Sequence, residues 1–122
     1  MTIKIIIVED ESIVAWDLEQ RLKLLGHEVV GIAASGADAL NLVKNNKVDL
    51  ILMDIILKGN LNGIETAILI KKDYNIPIIY NSANSDFKTL EEIKKTEPYE
   101  YLVKPFDDTK LKKAINNALN CQ

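Results

Sequence analysis

The sequence predicts an α/β domain: a doubly wound, five-stranded parallel sheet with helices on both faces. Three observations carry that reading. Five short runs rich in Ile, Leu and Val recur along the chain, at Ile3–Val8, Val29–Ala33, Leu50–Met53, Ile78–Tyr80 and Tyr101–Val103. They are continuous rather than alternating, as strands are when helices cover both faces. Segments with helical spacing separate them, so β and α alternate five times, and right-handed crossovers fold that order into three layers.

Each helix has its own signal. Val14, Leu18, Leu22 and Leu25 share one face of a first helix that Gly26 ends. Ala37, Leu40 and Val43 give a second, shorter helix in the same way. The third, over 64–74, and the fourth, over 86–95, are less cleanly striped. Leu111, Ala114, Ile115, Ala118 and Leu119 form the stripe of the last, with Asp107 and Asp108 at its start, where acids suit the helix dipole.

Composition bounds what such a chain does. Its 122 residues, 48% hydrophobic and 27% charged, make a single domain over residues 1–122 whose core needs no metal or disulfide. A net charge of -3 argues against a nucleic-acid or anionic-membrane surface. The single cysteine, Cys121, leaves no disulfide or cysteine metal cluster and is expected to be an inert thiol in a reducing compartment. No apolar run approaches the ~20 residues of a membrane-spanning helix and no signal-peptide pattern opens the chain, so the expected location is the cytoplasm.

In open parallel sheets ligands bind beyond the carboxyl ends of the strands. After the first run come Glu9, Asp10 and Glu11; after the third, Asp54; after the fourth, Ser82; after the fifth, Lys104 and Pro105. Taken singly, each has a bland reading as a helix-start acid, a turn residue or a solvated charge. The fold, however, converges these strand ends on one edge. Carboxylates crowded there resist joint ionisation, so a counter-ion is required. Mg²⁺ suits an all-oxygen site because it keeps waters and prefers a carboxylate or two plus phosphate oxygens. Lys104 is then a point charge for a phosphoryl group and Ser82 a hydrogen-bond donor to it. The set describes phosphoryl transfer onto a carboxylate.

The segments Val8-Glu9-Asp10-Glu11, Met53-Asp54-Ile55, Gly63-Ile64-Glu65, Asn81-Ser82-Ala83 and Tyr101-Leu102-Val103-Lys104-Pro105-Phe106 occur in order across the chain. With them the sequence resembles the response-regulator receiver domains of two-component signalling over essentially its whole length. That resemblance implies the flavodoxin-like strand order 2-1-3-4-5. It implies that Asp54 accepts a phosphoryl group from a phosphohistidine on a sensor histidine kinase or histidine phosphotransfer domain. Glu9, Asp10 and Asp54 would hold Mg²⁺ with the Ile56 carbonyl, Asp10 being the direct acidic ligand. Lys104 would contact the phosphoryl oxygens, with Pro105 in the place where the family often has a cis peptide. Ser82 would turn toward the phosphoryl group, the Ala83 and Ile56 amides would complete its cradle, and Tyr101 would be the aromatic switch. The fourth helix, fifth strand and fifth helix would form the output surface, facing a downstream effector or a second copy of the chain. Such a domain is no enzyme beyond its own phosphorylation and slow dephosphorylation.

Two features depart from the family. The acidic pair begins with Glu9 where Asp is common, a longer arm expected to reach the metal through water. The 54–63 loop, with Lys58, Gly59, Asn60 and Asn62, lacks a proline that many members carry and is one residue longer, in the manner of receivers attached to or encoded near sensor histidine kinases. Two alternatives stay open: a Mg²⁺-dependent phosphatase or nuclease-like domain, and a receiver that only binds partners. An FMN protein is disfavoured because Glu9, Asp10 and Glu11 would repel its phosphate, and no P-loop pattern is present. Trp16 falls nearly opposite Leu18 and Leu22, so it points outward, either lying on the stems of Gln20 or Lys23 or anchoring the phosphodonor. His27, the only histidine, is expected on the surface, and Tyr74, Tyr80 and Tyr99 in core or edge packing.

Overall fold

The computed structural model describes residues 2–83 and 87–120. Five strands alternate with five helices: β1 (Lys4–Val8), α1 (Ser12–Leu24), β2 (Glu28–Ala33), α2 (Gly36–Asn45), β3 (Leu50–Asp54), α3 (Gly63–Asp73), β4 (Ile78–Ser82), α4 (Phe87–Ile93), β5 (Tyr99–Val103) and α5 (Asp108–Asn120). A 3-10 turn, Lys94–Thr96, follows α4. All strand pairs are parallel and the order is β2-β1-β3-β4-β5, as the sequence predicts. No helix among the described residues is long and apolar enough to cross a membrane.

The sheet divides the core in two. On one face Ile6, Val8, Ile51, Met53, Ile78 and Tyr80 pack against Ala39 and Val43 of α2, Ile64, Ala67 and Ile70 of α3, and Ile93 of α4. On the other, Ile5, Ile7, Leu50, Leu52, Ile79 and Leu102 meet Ala15, Leu18 and Leu22 of α1 and Leu111, Ala114, Ile115 and Ala118 of α5. Each fully buried Ile or Leu contributes roughly 1.5–3 kcal/mol, which is why each central strand carries a continuous apolar run. The edge strands do not share that burial. Most of β2 and β5 is half-exposed, and Ile32 and Val103 open to solvent, because each has a neighbour on one side only.

Local chemistry sets the element ends. Gly26, at φ 91°, takes the left-handed conformation that stops α1. Ser35 caps α2 by accepting from the Asp38 amide at 3.2 Å, so that helix starts at Gly36 and its buried stripe is Gly36, Ala39 and Val43. Ala37, expected on that stripe, is exposed. Asn62 and Glu65 form a reciprocal capping box at the start of α3. Helix α4 begins within the expected 86–95 segment; Asp86 and Cys121 lie outside the described residues.

Two side chains tie distant segments together. His27 is half-buried rather than simply on the surface, and its Nδ1 accepts from the Ile3 amide at 3.3 Å. Burial, aided by the charge of the chain's amino terminus, holds its pKa below the ordinary value. Arg21 on α1 donates to the Phe106 carbonyl at 2.7 Å and to Asp108 Oδ1 at 2.6 Å, with its guanidinium 4.8 Å from the Phe106 ring centroid. It thereby fastens the β5–α5 connection to α1.

Candidate functional site

The side-chain period of two carries the α1/α5 face of the sheet up to its carboxyl edge. Leu52, Ile79 and Leu102 face that side. Two residues on from each stand Asp54, Asn81 and Lys104, and two on from Ile7 stands Glu9. The ladder extends far enough to hold them, with Glu9 donating its amide to the Ala33 carbonyl at 2.9 Å and Lys104 to the Ser82 carbonyl at 2.8 Å. Glu9, Asp54 and Asn81 therefore stand level across β1, β3 and β4, opposite Leu102 on β5, and Lys104 follows on the same face two residues beyond Leu102. Asp54 and Ser82, expected just past their strands, are the last residues of β3 and β4.

The cluster is held together by charge. Lys104 Nζ donates to Glu9 Oε1 at 3.0 Å and lies 3.7 Å from Asp54 Oδ2. Glu9 Oε2 accepts from the Glu11 amide and Asp54 Oδ1 from the Ile56 amide, both at 3.2 Å. Asp10 Oδ2 accepts from the Lys58 amide at 3.0 Å, which anchors the loop after β3 to the one after β1. Burial pushes Asp54 up to about 7, with the charge and hydrogen bond of Glu9 acting the same way and Lys104 and the Ile56 amide opposing. Burial works against the Lys104 charge, but its bond to Glu9 and the charges of Asp54 and Glu9 outweigh it and raise its pKa.

Carboxylate oxygens of Glu9, Asp10 and Asp54 lie within 4.8 Å of one another. A small divalent cation fits this donor set: three acidic oxygens at one focus, two from buried residues, with the Lys104 ammonium bonded to one of them. They adjoin an open cleft of about 370 Å³ whose lining includes Asp10, Asp54, Ile56, Ser82, Ala83 and Lys104. The structure thus brings the sequence-expected groups together, Glu9 standing behind the wall of that cleft. Tyr101 is set apart, on the opposite face, half-buried beside the α2/α3 core. A larger surface hollow along Glu97–Tyr101 has no such convergence of groups.

Residues 5–116 match the family description of the response regulator receiver domain. The chain belongs to the response regulator receiver family. As a receiver, it is 33% identical over 117 residues to the transcriptional regulatory protein PdtaR of Mycobacterium tuberculosis, covering 96% of this chain and 57% of that one. The receiver spans about half the length of the curated relatives it matches. The signal receiver domain of a modulated diguanylate cyclase from Desulfovibrio desulfuricans superposes with a TM-score of 0.91 at 32% identity, over 98% of this chain and 95% of that one. The receiver domain of a sensor histidine kinase from Pseudomonas aeruginosa, solved with a magnesium ion coordinated in its active site cleft, gives 0.86 at 28% identity, over 98% and 99%.

Sequence reasoning missed three parts of this receiver's site. Asn81 follows the apolar run Ile78–Tyr80 and has a place only in the Asn81-Ser82-Ala83 segment, although counting in twos from Ile79 puts it on the site face. The Asn62–Glu65 box was legible as Asn-x-x-Glu before an apolar stretch. Gly63 was noticed only as a motif residue. A Cβ there would stand 2.0 Å from the Asp54 carbonyl oxygen, so α3 begins in direct contact with the end of β3.

Proposed function

We propose that this receiver is the phosphoacceptor of a two-component or phosphorelay system, with Asp54 as the accepting residue. The observation that carries the reading is the convergence in which Lys104 holds Glu9 at 3.0 Å and approaches Asp54 at 3.7 Å beside an open cleft. The donor is a phosphohistidine on a sensor histidine kinase or histidine phosphotransfer domain. An Asp54 carboxylate oxygen forms the new bond to phosphorus as the phosphorus–nitrogen bond breaks, and the electron pair returns to the imidazole, which takes up a proton. Lys104 steadies the transferred oxygens, the Ile56 and Ala83 amides donate to them, and Ser82 turns toward them. Glu9, Asp10, Asp54 and the Ile56 carbonyl would hold Mg²⁺, with Asp10 a direct ligand. The metal supplies charge neutralisation between the incoming phosphoryl group and the carboxylates. The output surface is α4, β5 and α5, reached through Ser82 and Tyr101, and faces an effector or a second copy. We assign one domain over 1–122 and a cytoplasmic location, with neither nucleic acid nor membrane as direct partner.

Incubation with Mg²⁺ and a small acyl phosphate should add one phosphoryl unit by intact mass. No gain, or the same gain after Asp54→Asn, would reject the assignment. Ser82→Ala is expected to remain phosphorylatable, because the hydroxyl contributes one modest hydrogen bond where the ammonium contributes a charge-assisted one. Its NMR shifts around Tyr101 on adding beryllium fluoride should shrink; shifts equal to wild type would remove Ser82 from the switch.

Trp16 is 60% exposed and Ile13 83% on α1, and Ile56 is 65% exposed after β3. These apolar side chains belong to segments beside the site, where a protein donor must approach, and tryptophan is frequent among interface hot spots. Trp16→Ala should slow transfer from the donor protein at least tenfold while leaving the acyl phosphate rate and the melting temperature unchanged. Parallel loss of both rates would show that Trp16 supports the fold instead.

A further inference from the structure

Asn81 is 1% exposed, and its Oδ1 is the one buried side-chain polar atom without a hydrogen-bond partner among the described residues. A buried acceptor left unpaired is destabilising, and an apolar side chain would suit that position in β4 better. Its neighbours in the sheet are Asp54 on β3 and Leu102 on β5. Strand order adds the decisive point. Lys104 follows β5, whereas the carboxylates it meets belong to β3, two strand spacings of about 4.8 Å away, and to the end of β1, three away, so the lysine arm has to cross β4. The residue of β4 level with Asp54, on that face, is Asn81, so an ammonium reaching back from beyond Leu102 to Asp54 passes over it.

We infer that Asn81 is a positioning residue for Lys104, its carboxamide oxygen being the second acceptor for the ammonium once a divalent cation draws on the carboxylates. This rests on the metal-binding reading of Glu9, Asp10 and Asp54. A cation at those oxygens repels the ammonium and competes for Glu9 Oε1. Retreating toward β5, the ammonium passes Asn81 Oδ1, a neutral acceptor that does not compete for the metal. The ammonium is bonded to Glu9 and the buried Asn81 oxygen has no partner; a cation at the carboxylates would leave both groups satisfied by each other. The unpaired acceptor thus belongs to a two-position lysine.

Asn81→Leu and Asn81→Ala test this in the full chain, alongside Asn81→Ser, which keeps an acceptor. Without metal, Asn81→Leu should melt at or above the wild-type temperature, because nothing bonded is lost. Its Mg²⁺ dissociation constant, by calorimetry, should rise about tenfold, the equivalent of one charge-assisted hydrogen bond, with partial recovery in Asn81→Ser. The Lys104 side-chain NMR signals should shift on Mg²⁺ addition in wild type and shift differently in Asn81→Leu. Wild-type Mg²⁺ affinity in both Asn81→Leu and Asn81→Ala would overturn the inference. A metal-free melting temperature well below wild type in both variants would also overturn it, by showing the carboxamide already bonded. Absence of Mg²⁺ binding by the wild type would reject the metal reading itself, a result distinct from either.

Discussion

Asp54→Asn is expected to abolish phosphorylation and, in the absence of metal, to make the protein more stable at neutral pH. The native carboxyl titrates near 7, against its ordinary 3.8, because it is buried beside Glu9. In the unfolded chain it ionises near the ordinary value. Between about pH 4 and about pH 7 the native state therefore keeps a proton that the unfolded state has released, so this group's stability contribution falls as pH rises through that window. Asparagine carries no such proton. The variant's advantage should grow from about pH 5 to about pH 7.5 and reach on the order of 2 kcal/mol, allowing for the partial wetting of the cleft. Mg²⁺ should raise the wild-type melting temperature more than the variant's, since one ligand has gone. Thermal melts at both pH values, with and without Mg²⁺, decide this: a variant less stable than wild type at neutral pH without metal would mean that the Asp54 charge is already fully compensated.

Lys104→Ala is expected to act in the opposite direction on stability and to damage the chemistry as well. The ammonium is bonded to Glu9, 3% exposed, and stands near Asp54, 7% exposed. Removing one partner of such a pair leaves buried charge uncompensated, a loss of about 2–3 kcal/mol here because the lysine itself is partly wet. Asp54 also loses the influence that lowers its pKa, so it holds its proton to still higher pH and is a poorer nucleophile at neutrality. The native Lys104 pKa is raised, so its stabilising charge is lost only in the alkaline range and does not confuse the acid-side window. Urea unfolding should show the deficit without metal and partial recovery with Mg²⁺, and the acyl phosphate rate should fall at least tenfold. Unaltered metal-free stability would remove Lys104 from its role as counter-charge.

Much of this was readable beforehand because burial leaves a mark on composition. β1, β3 and β4 each carry a continuous apolar run that stands out, and Asp54 and Ser82 stand at or just past the ends of such runs, as Lys104 does after β5. The edge strands read less well: β2 and β5 begin at Glu28 and Tyr99, before their apolar runs, because a one-sided strand tolerates polar residues. Ala37 falls off the buried stripe because Ser35 caps α2, which places the stripe on Gly36, Ala39 and Val43. Arg21 gave no local signal at all, since Phe106 and Asp108 are brought to it only by the packing of α1 beside α5. Asn81 was overlooked because polarity within a strand looks like an interruption, whereas its meaning lies in what crosses above it.

The contact between Gly63 and the Asp54 carbonyl also bears on which sequences are open to this protein by descent. Every other amino acid brings a Cβ to a point 2.0 Å from that oxygen, and backbone, unlike the end of a flexible side chain, cannot step aside cheaply. One nucleotide change at this codon therefore reaches the acceptor strand, although position 63 carries no reactive group. Gly59, a few residues earlier, meets nothing within 4 Å and is bound only by its φ of 101°. Position 63 is thus closed to any side chain by contact with the acceptor strand, whereas position 59 is restricted only by the conformation of its own backbone.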